Sequence, residues 1–226
     1  ASLWMAYQPI VSAADRSVVG YETLMRSDAA GLPHPGAVLD AAERLARLPE
    51  LGRLIRQRAV GPMAADDTRG LLFINIHPRD LRDEDLASPD APLTQMAHRT
   101  VLEVTERASL ENLSNVRQRV EKLRRLGFRI AVDDLGAGYA GLTSFASLQP
   151  DFVKFDMSLI RGVDRDPVRQ KLMRSMNDLC VEMGIQTVAE GIETAAERDA
   201  VIDVGCHLLQ GYRLAKPGRP FPDAAW

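Results

Sequence analysis

The sequence predicts an α/β fold, a TIM-like (β/α)8 barrel, and three observations predict it. Strand-like and helix-like patterns alternate through most of the 226 residues, which is the signature of repeated βα units. That length suits an α/β barrel running as one domain. Polar residues also fall at or near the C-terminal end of one candidate strand after another. A barrel gathers all such ends at a single mouth, whereas an open sheet brings only a few of them to its switch point.

Trp4–Ile10 and Val18–Leu24 are the first two candidate strands, and Leu71–Ile76 and Thr100–Thr105 follow them. A helix carrying Leu113, Val116, Val120, Leu123 and Leu126 in an apolar stripe ends at Gly127, and the strand Arg129–Asp133 comes next. Phe152–Phe155 is the sixth strand. Asp166 and Pro167 then pair a cap with a proline at the first helical position, opening a helix that stops at Gly184. Its Val168, Leu172, Leu179 and Met183 recur at near-helical spacing and predict one buried face. Ile185–Ala189 is the seventh strand. Thr194 and Glu197 form a capping box whose helix ends at Gly205, before the eighth strand, His207–Tyr212.

Apolar residues make up 46% and charged residues 26% of the chain, which is globular usage and excludes a disordered chain. No apolar run approaches the roughly twenty residues of a membrane span, and no basic segment precedes an apolar one at the N-terminus. Cys180 and Cys206 form neither a metal-ligand spacing nor a disulfide framework, so they read as small buried hydrophobes in a reducing, cytoplasmic setting. A net charge of −3 provides no broad basic field for a nucleic acid polymer. Residues 1–226 read as one domain. A start at Ala1 without methionine, and three prolines between Lys216 and Trp226, suggest a segment of a longer multidomain protein, so the location could be the cytoplasmic part of a membrane-anchored one.

The strand-end residues are Glu22, Asn75, Glu103, Asp133 with Asp134, Lys154, Glu190 and Gln210. Bringing those carboxylates into one concavity costs several kcal/mol of repulsion and desolvation unless cations offset it. Every proposed ligand is an oxygen donor, with the Asn75 carbonyl among them, so Mg²⁺ or Mn²⁺ fits better than zinc. Adjacent aspartates at a strand end point to opposite sides, so one could bridge two metals while the other serves one. That arrangement suits in-line attack of activated water on a phosphodiester. Lys154 could orient the water and neutralise phosphoryl oxygens, and Arg26 could hold a phosphate. Singly, each residue also reads as a solvated strand end, Asp133-Asp134 as a turn before a helix, and His77 as a packed or exposed histidine.

Their order resembles a known family. Glu22-Thr23-Leu24-Met25-Arg26 resembles the Glu-Ala-Leu signature with its trailing arginine, and Glu103-Val104-Thr105-Glu106 resembles a Glu-x-Thr-Glu segment. Asp133-Asp134-Leu135-Gly136-Ala137-Gly138-Tyr139 is similar to the Asp-Asp-Phe-Gly-Thr-Gly-Tyr loop. Lys154-Phe155-Asp156, Ala189-Glu190-Gly191, Gln210-Gly211-Tyr212 and the terminal Lys216-Pro217 complete the set. On these motifs, nearly the whole chain is similar to the EAL family of cyclic di-GMP phosphodiesterases.

The resemblance implies hydrolysis of cyclic di-GMP to linear pGpG, and a first strand antiparallel to the rest. By motif, Glu22, Asn75, Glu103 and Asp133 hold one metal, and Asp133, Asp134 and Glu190 serve a second. Lys154 and Glu190 position the water, with Gln210 hydrogen-bonded behind them. Gln8, Leu24, Arg26 and Asp156 lie against the nucleotide. Glu106 and Glu193 sit behind the ligands, Glu106 bracing the loop after Asp134. The resemblance further implies a homodimer through the barrel face near that loop, and flanking sensory or cyclase domains. Thr23 stands where the signature has alanine, His77 where Asn-x-Ser is usual, and Leu135, Ala137, Ala140 and Gly141 replace Phe, Thr, Ser and Ser. The altered loop motivates a second reading, a cyclic di-GMP receptor that does not hydrolyse. A third is an unrelated metal-dependent barrel enzyme.

Overall fold

The apolar stretches singled out above become strands that pair edge to edge until the sheet closes. The computed structural model describes residues 3–105, 115–135 and 148–226. Among these, the strands are β1 (Leu3–Ser12), β2 (Val18–Ser27), β3 (Leu71–Asn75), β4 (Thr100–Thr105), β5 (Arg129–Leu135), β6 (Phe152–Phe155), β7 (Gln186–Ala189) and β8 (Leu208–Leu209). β1 runs antiparallel to both its neighbours, β2 and β8, and the remaining pairs are parallel. A barrel with a reversed first strand is therefore what forms.

Strand side chains alternate between the two faces, and this decides what fills the barrel. Ile10, Phe73, Val101, Ala131, Phe152, Val188 and Leu208 make one buried apolar cluster, one residue from each of seven strands. Phe73 and Phe152 meet edge-to-face with ring centroids 5.2 Å apart, a favoured aromatic geometry. The outward-facing residues join a larger core beneath the helices, which includes Leu72, Ile74, Leu102, Ile130, Val132 and Val153.

Helices α1 (Pro35–Arg44) and α2 (Leu48–Ala64) lie between β2 and β3, and the short α3 (Pro92–Gln95) precedes β4. The sequence pattern hides α2 because Gly52, Gly61 and Pro62 interrupt it. Gly52 is needed there, since a Cβ would stand 2.6 Å from a carboxylate oxygen of Asp80. α4 (Val116–Arg125) buries Val116, Val120 and Leu123 as the stripe predicts, while Leu113 lies outside the described residues. The short α5 (Met157–Ile160) follows β6. α6 (Pro167–Glu182) is capped by Asp166, whose side chain accepts from the Arg169 N–H. α7 (Ala195–Asp203) carries the predicted capping box, with Thr194 and Glu197 each bonded to the other's backbone N–H.

One expectation is overturned. The α6 stripe does not face the barrel: Val168 is 79%, Leu172 51%, Leu179 47% and Met183 52% exposed. The buried face carries Met173, Asn177 and Cys180. Asn177 belongs inside because its Oδ1 accepts from the Thr187 hydroxyl of β7 at 2.6 Å. A face built around a paired amide ranks below a purely apolar one by hydropathy, so the pattern points to the wrong side. Cys180 and Cys206 are both buried free thiols, as read. No helix among the described residues is long and apolar enough to cross a membrane.

The seam of the barrel is short. β8 pairs with β1 only through Val11–Leu209 and Ser12–Leu208. Above that point the chain following β8 takes over. Tyr7 and Gly218 exchange both backbone hydrogen bonds, at 2.8 and 3.0 Å, and Phe221 packs against the rings of Tyr7 and Tyr21.

Candidate active site

Two residues along from the apolar layer, the same strands turn polar side chains inward. The pairs are Gly20 and Glu22, Phe73 and Asn75, Val101 and Glu103, Ala131 and Asp133, Phe152 and Lys154, Val188 and Glu190, and Leu208 and Gln210. On the reversed β1 the order inverts, so Gln8 precedes Ile10. The mouth thus receives one polar side chain from each strand or its immediate end.

Lys154 is the hub, 1% exposed. Its Nζ lies 2.5 Å from Glu190, 2.7 Å from Glu103, 3.2 Å from Glu22 and 3.6 Å from Asp133. Burial alone would lower the lysine pKa, but the surrounding carboxylates raise it well above its ordinary value. Glu22 is held from three directions: Asn75 Nδ2 donates to Oε1 at 2.8 Å, Gln210 Nε2 to Oε2 at 2.6 Å, and Lys154 stands beside Oε2. Burial pushes its pKa up, yet Lys154 and these donors outweigh burial and hold it below the usual glutamate range. Burial raises Glu103 and Glu190 well above that range, and raises Asp133 as well, with Lys154 opposing in each case.

The mouth is underneutralised by its own residues. Among the described residues, Glu22, Glu103, Asp133 and Glu190 gather round the single ammonium of Lys154, and Oε2 of the fully buried Glu103 has no hydrogen-bond partner. Buried charge of this kind costs several kcal/mol unless a counter-charge meets it. Carboxylate oxygens of Asp133, Asp134 and Glu190 all lie within 4.8 Å of one another. With its NH₂ committed to Glu22, Asn75 keeps its carbonyl oxygen for another partner. A wholly oxygen donor set of this charge fits a hard divalent cation.

The two aspartates do not diverge as strand alternation suggests. Asp134 adopts a left-handed backbone, φ 58°, which breaks the alternation and lets both carboxylates reach Glu190. Such a conformation is costly for a non-glycine residue and collects at functional sites. Gly211 serves the same region by close approach, since a Cβ there would sit 2.2 Å from the Ile192 backbone.

The remaining expectations divide. Leu24 and Arg26 lie on the rim beside a cavity of about 320 Å³, whose walls include Met5, Leu48, Leu51 and Ile55 and which Asn75 and His77 also border. His77 is a packed cap, its Nδ1 accepting from the Arg79 N–H. Asp156 caps α5 by accepting from Ser158 N–H at 2.9 Å. Glu193 pairs with Arg161 at the surface, apart from the carboxylate cluster. Gln8 is buried in the mouth with both ends of its amide bonded to protein. Glu106 and the loop positions Gly136, Ala137, Gly138, Tyr139, Ala140 and Gly141 lie outside the described residues.

Sequence reasoning missed the support under Asn75. Arg56, 4% exposed, lies 3.5 Å from Asp80 and 2.5 Å from Asp83. Asp80 in turn accepts from the His77 N–H, tying down the turn that follows β3. Aspartate three residues after the capping His77 was the readable signal.

A family model described as the EAL domain matches residues 2–217. The chain belongs to the EAL domain family. Among curated relatives, the probable cyclic di-GMP phosphodiesterase PdeG of Escherichia coli K12 is 31% identical over 222 residues, covering 93% of this chain and 44% of PdeG. This EAL chain spans less than half the length of such curated relatives. A standalone EAL protein from Vibrio cholerae O395, solved in its cyclic di-GMP-bound form, has a TM-score of 0.82 and 29% identity, with 99% of this chain and 95% of that one covered. BlrP1 of Klebsiella pneumoniae, solved with manganese and cyclic di-GMP, has a TM-score of 0.84 and 28% identity, over 96% of this chain and 56% of that one.

Proposed function

We propose that this EAL domain hydrolyses cyclic di-GMP to linear pGpG at a two-cation site taking Mg²⁺ or Mn²⁺. One observation carries the reading: every strand supplies the mouth with a polar side chain, and the set has several carboxylates for one lysine. Relatives named as cyclic di-GMP phosphodiesterases, and related structures solved with that nucleotide and with manganese, support it.

Glu22, Asn75, Glu103 and Asp133 would hold one cation, and Asp133, Asp134 and Glu190 the second. The cations, when bound, would acidify the attacking water and offset charge on the phosphoryl oxygens. Lys154 and Glu190 would align that water opposite the leaving 3′ oxygen, so that a P–O bond to water forms as the P–O3′ bond breaks. Leu24, Arg26 and Asp156 would contact the nucleotide, and the cavity beside Leu24 and Arg26 has room for a nucleobase. Incubation with cyclic di-GMP and each metal tests this by product analysis. Release of pGpG supports it. Binding without turnover by folded protein would make the domain a receptor, and neither binding nor turnover would send it to another substrate.

The reading includes a homodimer, which the family resemblance sets near the loop after Asp134, at positions outside the described residues, and for which the exposed stripe of α6 offers an apolar face. That stripe is flanked by Lys171 and Arg174 in the N-terminal half and Asp178 and Glu182 in the C-terminal half. Antiparallel packing against a second copy would set opposite charges face to face.

A further inference from the structure

Gln8 was expected to touch nucleotide, but its amide is already engaged at both ends. Nε2 donates to the Ala215 carbonyl at 2.9 Å, and Oε1 accepts from Gln210 Nε2 at 3.2 Å. That same Gln210 nitrogen donates to Glu22 Oε2 at 2.6 Å.

The orientation of each amide follows from its fixed end. A backbone carbonyl can only accept, so Gln8 must turn its NH₂ to Ala215 and its oxygen to Gln210. Gln210 must then present its own NH₂, which is also what the Glu22 carboxylate requires. Turning Gln210 over would set its oxygen against the oxygens of both Gln8 and Glu22. The arrangement has a cost, because Gln210 Oε1 is left buried without a hydrogen-bond partner.

The Ala215 carbonyl is itself fixed by the barrel seam. β8 is too short to pair with the upper half of β1, and the two Tyr7–Gly218 hydrogen bonds close that gap. Reversal of β1 is what sets Gln8 opposite Glu22 in the strand register.

We propose that Gln8 is a positioning residue for Glu22: anchored on the seam at Ala215, it fixes the Gln210 amide so that the carboxylate keeps one orientation for its cation. The proposal rests on the reading that Glu22 holds a divalent cation. It adds a role for Gln8 distinct from contact with nucleotide.

The test is Mn²⁺ affinity, measured by titration calorimetry on the 226-residue chain, in a double-mutant cycle of Gln8→Met and Gln210→Met. Removing groups that orient a ligand weakens metal binding by about 10–100-fold. Gln8→Met is expected to weaken Mn²⁺ binding about 10-fold. It should add nothing once Gln210→Met is present, and should leave the KM for cyclic di-GMP at saturating Mn²⁺ unchanged. Should Gln8→Met not fold, Gln8→Asn keeps an amide too short to bridge and serves the same cycle. Unchanged Mn²⁺ affinity, additive effects or a raised KM would overturn the relay. Glu22→Gln separates the two failures: if it spares Mn²⁺ binding, the ligand assignment falls and the proposal with it, whereas if it weakens binding while Gln8→Met does not, only the relay falls.

Discussion

The lower and upper layers of the barrel interior come from the same strands, two residues apart, and are buried to a similar depth, yet they behave as opposites. Phe73, Phe152 and Val188 below are 0–2% exposed and gain from burial and ring packing. Glu103 and Lys154 above are 0% and 1% exposed, and burial works against their charges. The lower layer packs seven strands against one another with no charge to neutralise. The upper layer is tolerated because the lower one is there, and on the proposed reading a cation would complete it. Burial is therefore not a measure of contribution to stability: the chemistry of the buried atoms sets the sign.

Substitutions in the two layers should break stability and activity apart. Glu103→Gln is expected to cut hydrolysis at least about 100-fold, beyond what outer groups contribute to metal sites, while raising the Tm of metal-free protein by removing one of four buried carboxylates that share a single lysine. Product analysis together with thermal melts in chelator decides it, and a lowered metal-free Tm would contradict the comparison. Phe73→Ala should do the reverse, costing about 3–5 kcal/mol in denaturant unfolding while Mn²⁺ still stabilises the folded variant.

Metal removal sharpens the same contrast. Mn²⁺ at 100 times its Kd should stabilise the parent chain by about 2.7 kcal/mol, and chelator should remove that gain. Glu103→Gln should lose most of it, as read by the Tm shift.

The Arg56 cluster offers a smaller contrast, a buried charge site that is matched. Hydrogen bonds from Arg53, outweighing burial, pull the Asp83 pKa from 3.8 down to about 2, with the Asp85 N–H and Arg56 adding to them. A depressed carboxylate stabilises the fold above its unfolded pKa and loses that contribution as pH falls through the folded value. Stability should therefore decline between about pH 4 and pH 2, and Asp83→Asn should flatten that limb in acid denaturation curves. The smallest effect expected on the domain itself is that of Leu172→Asp. Light scattering should read a dimer for the parent chain and a monomer for this variant if the proposed pairing holds, with hydrolysis by the folded variant as the accompanying measurement.

Much of this was legible in the sequence. All eight strands overlap their predicted ranges, and the caps at Asp166 and Thr194 sit where read, because strand periodicity and helix capping are fixed within a few residues of chain. The identity of the mouth was legible too, since a polar residue at the end of an apolar strand keeps its meaning in a closed barrel. What escaped depended on partners far away in sequence. Periodicity singled out the Val168, Leu172, Leu179 and Met183 face of α6, and only Thr187 could decide that the face bearing Asn177 turns inward instead.

By itself the sequence determined the elements, their order and the oxygen-rich ligand set, all properties of local pattern and side-chain chemistry. Tertiary structure alone decided that Asp134 turns left-handed to join Asp133 at Glu190, that the reversed β1, which the family resemblance implied, sets Gln8 opposite Glu22 in register, and that Ala215 closes the chain of amides behind it. Orientation of a side chain is settled by the groups that surround it, and here those groups arrive from positions up to 207 residues apart.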